Sequence, residues 1–144
     1  MDRRLPGLEP AERLLAHAPA SFRGATAASV RSTFALGAAR KRLNAYYDWR
    51  EHADAAGFTT AGPDMVVGVT DQRLVVWETT FWLSRPGSIV GRVALPKIGE
   101  VATARHGLVT GLALAFTTGA IVEIEAMRGL RLHRLADAIR KALA

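Results

Sequence analysis

A chain of 144 residues with 49% hydrophobic side chains is long enough to bury one core and too apolar to stay disordered. It holds no cysteine, which excludes disulfides, thiolate nucleophiles and sulfur-ligated zinc, and fits a reducing cytoplasm. Nineteen Lys and Arg stand against 13 acids, so the net charge of +6 either serves solubility or favours an anionic partner: acidic lipid, nucleic acid or an acidic protein surface.

Met1 to Pro10 carries two arginines, two acids and two prolines, so it does not read as a signal peptide. With Pro6, Gly7 and Pro10 as breakers it reads as a flexible arm, residues 1–10, ahead of a single domain over 11–144. No apolar run reaches the roughly 20 residues that a spanning helix needs. Ala11 to Ala20 is open between two readings: Ala and Leu favour helix, while Pro19 and the short run suit a strand from about Arg13 to Ala18.

Gly24 to Gly57 is rich in small residues and free of proline, and it reads as one long helix or two shorter ones from about Ala27 to Ala56. Leu36, Ala39, Leu43 and Tyr47 form its expected apolar stripe, and Gly57 its stop. Arg40, Lys41 and Arg42 are the densest basic run. With Arg31 and Arg50 they suit anionic lipid or nucleic acid, or simply a solvated helix face.

From Met65 onward the period changes from helical to alternating. Strands are expected near Met65–Thr70, Arg73–Thr79, Ser88–Leu95, Glu100–His106, Leu112–Thr117 and Ala120–Ala126. Met65, Val67 and Val69 share one face. Leu74 and Val76 face one way, Val75 and Trp77 the other. Leu112, Leu114, Phe116, Val122 and Ile124 point inward, with Glu123 and Glu125 outward on a solvated face. Thr70-Asp71-Gln72 and Thr118-Gly119 read as turns. Arg73, opening its strand, is expected to pair with Asp71 or a nearby carbonyl, a structural role.

Phe81, Trp82 and Arg85 lie at the expected tip of a hairpin. An aromatic tip beside a cation suits a bilayer interface; the alternative is that these aromatics pack on Tyr46, Tyr47 or Trp49. Gly129 to Ala144 closes the chain as an amphipathic helix. Leu132, Leu135, Ala136, Ile139 and Leu143 form its apolar face, and Arg131, Arg134, Asp137, Arg140 and Lys141 lie elsewhere.

Catalytic signatures are missing. His17, His52, His106 and His133 have no metal-ligand spacing, and neither a nucleophile elbow nor a phosphate loop is present. No metal, cofactor or enzymatic activity is expected.

Four elements in this order resemble bacterial pleckstrin-homology-like (PH-like) and GRAM-like domains. They are Glu12-Arg13-Leu14-Leu15, Val69-Thr70-Asp71-Gln72-Arg73-Leu74, Leu95-Pro96-Lys97-Ile98 and Phe116 to Gly119. The resemblance covers Met65 to Leu143 well and Glu12 to Ala18 weakly. It implies an α+β, PH-like antiparallel barrel or sandwich of about seven strands with a C-terminal amphipathic helix. Residues 25–57 then stand out as a helical insertion after the first strand. The implied role is a non-catalytic cytoplasmic module that binds a protein partner or its own copy. The alternative is peripheral binding to anionic membrane lipid through Phe81, Trp82, Arg85 and the basic run Arg40, Lys41 and Arg42. A nucleic-acid partner is not expected.

Overall fold

The computed structural model describes residues 5–24, 38–79, 85–127 and 131–144. Seven strands and two helices follow in the order β1 (Leu14–Phe22), α1 (Ala38–Ala55), β2 (Asp64–Thr70), β3 (Arg73–Thr79), β4 (Pro86–Ala94), β5 (Ile98–His106), β6 (Val109–Phe116), β7 (Ile121–Met127) and α2 (Leu132–Leu143). A 3-10 turn, Leu95–Lys97, joins β4 to β5. The strands are antiparallel in the order β4-β3-β2-β1-β7-β6-β5, so the sheet does not close into a barrel. It is an antiparallel, sandwich-like sheet whose two halves, β1–β4 and β5–β7, share one core.

The alternation sets that core. Met65, Val67, Val69, Leu74 and Val76 from one half meet Val101, Leu112, Leu114, Val122 and Ile124 from the other. α2 lies across both halves, against β1 and β2 on one side and β5 and β6 on the other. Its expected stripe is the buried one: Leu132, Leu135, Ala136 and Ile139 are all at most 2% exposed. Each of its large aliphatic side chains contributes roughly 1.5–3 kcal/mol by leaving water. Without that burial a helix this short would not hold in water.

The ambiguous first segment is a strand, and it runs through Pro19. Among the described residues β7 pairs with β1 only at Ser21 and Phe22, while β2 pairs with it from Leu14 to Ser21. β1 therefore has a free edge over most of its length, the setting in which a strand accepts proline. The Thr118-Gly119 turn is present, with Gly119 at φ 94°.

Three expectations are corrected. The apolar stripe of α1 was read through Leu43 and Tyr47, but these are 40% and 51% exposed. The helix instead buries Tyr46 and Ala53, with Trp49 and Ala56 beside them. Tyr46 and Trp49 win because they have both apolar partners and polar ones. Tyr46 packs 5.8 Å from the Phe22 ring and its hydroxyl lies 2.8 Å from the Thr60 hydroxyl. Trp49 meets Phe58 edge-on and donates to the Glu123 carbonyl at 2.8 Å. The helix stops at Gly57 as expected. Phe58 N–H reaches back to Ala53 C=O and Gly57 N–H to Asp54 C=O, the Schellman pattern of a left-handed C-terminal residue.

The second correction concerns the arm. In its described part, from Leu5, the chain is seated on the outer face of β2 and β3. Leu5 and Leu8 pack on Val66, Val75 and Trp77, and Trp77 Nε1 donates to the Pro6 carbonyl at 2.8 Å. A large aromatic on an outward face needs such a cover. The third concerns Glu125, expected in solvent and only 5% exposed. Its carboxylate accepts the Gly24 N–H, and neighbouring Glu123 pairs with Arg23. The end of β1, at Arg23 and Gly24, thus meets both acids.

Candidate binding groove

The start of β1 is held by a buried ion pair. Glu12, whose side chain is fully buried, accepts from Arg73 Nε at 2.8 Å, Arg73 Nη2 at 2.9 Å and the Thr70 hydroxyl at 2.6 Å. The two-pronged Arg73 bond lowers the Glu12 pKa to about 2, against the opposing effect of desolvation; the Thr70 hydroxyl and Glu9 N–H lower it further. Beside this pair, Asp71 accepts the Arg13 N–H at 3.0 Å, and Asp71 N–H donates to the Arg13 carbonyl at 3.0 Å. Arg73 thus has a structural role, but its carboxylate partner is Glu12 and not Asp71. Asp71 is occupied by Arg13, and Glu12 lies 61 residues away in the chain.

This double clamp fixes Arg13 at the mouth of a groove of about 730 Å³ between β1 and α2. Arg13, Leu15, Ala16 and His17 line it from the strand; Arg131, Arg134, Asp137, Ala138, Lys141 and Ala142 line it from the helix. The reason is helical geometry. Burying the stripe Leu132-Leu135-Ala136-Ile139 turns the positions 131, 134, 138 and 141 onto the flank facing β1. Arg131 caps the helix with φ 62°, the left-handed region, and it is the one non-glycine residue there among those described. Its carbonyl accepts from Arg134 N–H and Leu135 N–H.

Charge is uneven in the groove. Among the described residues, no side-chain hydrogen bond or ion pair engages Arg13, Arg131, Arg134 or Lys141. The acid in the groove, Asp137, is engaged by Arg140 at 2.9 Å. Partial desolvation first, and then the Arg131 charge, hold His17 below its ordinary pKa. Four cations sharing one concavity create a local positive potential that attracts anions. The floor, Ala16, Ala138 and Ala142, is small and apolar.

A second concavity, a trough of about 540 Å³, lies over the outer face of β5–β7. Ala102, Ala104, Gly111 and Ala113 tile it, with Leu108 at one end and Glu123 and Glu125 along one side.

Arg40, Lys41 and Arg42 lie near the start of α1, and Arg85, exposed, just before β4. Phe81 and Trp82 lie outside the described residues. The sequence reading missed the groove. Arg131, Arg134 and Lys141 were visible as the polar face of the last helix, but nothing local placed Arg13 and His17 opposite them. Among the described residues no helix is long and apolar enough to cross a membrane.

No protein-family model matches the chain, and neither does any curated protein. Among solved structures, it is similar to the crystal structure of a DUF1696 family protein with a pleckstrin-homology domain from Shewanella loihica PV-4. The likeness is at 14% identity with a TM-score of 0.43 and covers 56% of this chain and 71% of that one.

Proposed function

We propose that this chain is a non-catalytic interaction module that receives an anionic partner in the groove between β1 and α2. The observation that carries the reading is the cation set Arg13, Arg131, Arg134 and Lys141 around one concavity, without a carboxylate pairing to any of them among the described residues. Leaving four cations unpaired on a rigid frame has little structural benefit, since charges of one sign repel. A protein surface in the cytoplasm is the leading partner, and an anionic membrane surface is the rival.

The test is direct. Labelled polyglutamate is titrated against the protein while fluorescence anisotropy is read at rising salt. The expected result is salt-sensitive binding that weakens about tenfold or more in Arg131→Glu/Arg134→Glu, with the thermal melt unchanged. Equal affinity in that variant overturns the groove as the binding surface.

A second reading, self-association, is favoured by the strand order itself: β4 and β5 end the sheet, and unpaired edges are templates for another strand. Light scattering tests it, with a mass that rises with concentration expected and a constant monomer mass overturning it.

A further inference from the structure

The groove is more than a patch of charge. One of its walls is a strand with a free edge. β2 pairs with β1 at Leu14 and, past a bulge at Leu15, from Ala16 to Ser21, but on the other side β7 reaches only Ser21 and Phe22 among the described residues. Over Leu14 to His17 the far side of β1 therefore looks across the groove to α2. Backbone donors and acceptors along such an edge can add a strand.

Resting on the groove as the binding surface, we propose that its occupant is an acidic peptide in extended form, added as a strand along Leu14–His17 of β1 and held by Arg13, Arg131, Arg134 and Lys141.

Three features of the groove select this occupant. The free edge offers main-chain hydrogen bonds, which an extended peptide uses and a lipid headgroup does not. The cations lie on both walls, Arg13 on the strand and the other three on the helix, so acids spaced along a peptide meet them on either side. The floor is alanine, which lets a peptide backbone come close to the strand; among the described lining residues Leu15, 36% exposed, is the large apolar contact at the rim. At about 3.3 Å per residue, an edge of four residues pairs with a segment of about the same length. Short main-chain pairing of this kind gives modest affinity, and the charges supply the rest and the selectivity.

The experiment uses two labelled peptides of alternating Glu and Ala, identical except that one is N-methylated at every residue. N-methylation keeps the charge and removes the donors that strand addition needs. Vesicles containing anionic lipid form a third arm, and all three are repeated with Arg131→Glu/Arg134→Glu. The expected result is that the unmodified peptide binds, that N-methylation weakens it about tenfold or more, and that charge reversal weakens it as well. Equal binding of the two peptides overturns strand addition while leaving the anionic groove intact. Groove-dependent binding to vesicles without binding to either peptide overturns the peptide and makes the membrane the occupant. Failure of every anion to bind overturns both this inference and the reading beneath it.

Discussion

The two halves of the sheet present outer faces that could hardly differ more. On β2 and β3 the outward positions are Val66, Val75 and Trp77, all at most 1% exposed beneath Leu5 and Leu8. On β5–β7 the outward positions include Ala102, Ala104, Gly111 and Ala113, which line a trough among the described residues, together with Ile121 and Met127, 50% and 45% exposed. Both faces come from the same alternating pattern. What differs is side-chain size. Trp77 forces the chain to cover it, and the ring also crosses Gly68, where a Cβ would stand 2.7 Å from it. Alanines impose no such demand. Among the described residues, the face that carries the largest ring is the one the chain covers.

The sharpest way to break this comparison is Trp77→Ala. It removes the ring and releases the Pro6 carbonyl, and a loss of about 3–5 kcal/mol is expected in chemical denaturation. A loss below about 1 kcal/mol would mean that the cover over Trp77 does not stabilise the fold.

The clamp below that cover comes next. Glu12→Gln leaves Arg73 without its charged partner, at a cost of about 3 kcal/mol. Glu12 also gives a pH signature. Its folded pKa of about 2 is below the ordinary value of 4.5, so the stabilisation is complete above the unfolded pKa and is lost as pH falls toward about 2. Its size over that window is on the order of 3 kcal/mol. Urea melts between pH 5 and 2 should show a smaller pH slope in Glu12→Gln than in the natural chain (pH values about these, spanning the unfolded and folded pKa). Parallel slopes would remove Glu12 from the account.

Gly68→Ala tests the close approach alone. The added methyl meets a ring already fixed by its hydrogen bond, and about 1–3 kcal/mol should be lost. The mildest change belongs to the other face. Ala113→Leu in the trough should move stability by about 0.5 kcal/mol or less, because the position lies on the outer face and outside the core clusters of the described residues. A large loss there would show that the second face is covered too.

Much of the fold was legible in the residues. The strands from Met65 to Met127 follow their period-two pattern, and α2 buries the stripe that its spacing marks. Gly57 and Gly119 end a helix and turn a hairpin where only a left-handed backbone fits. Where the reading slipped, in the stripe of α1 and in the arm, the deciding partner lay far away in the chain. Tyr46 was drawn inward by Phe22 and Thr60, and residues 5–8 by Trp77. The candidate site was the least legible part. Local density of charge pointed to Arg40-Lys41-Arg42, while the cations that share a groove are scattered from Arg13 to Lys141.

By itself, the sequence determined which residues alternate, which face of the last helix is apolar, and where the backbone must turn. Those are consequences of local period and of the torsions each residue allows. Only the tertiary structure decided that Glu12 meets Arg73, that α2 lies beside the free edge of β1, and that Arg13 joins the three cations of α2 in one cavity. Such pairings depend on how burying one set of side chains rotates the others, a property of the whole packed chain.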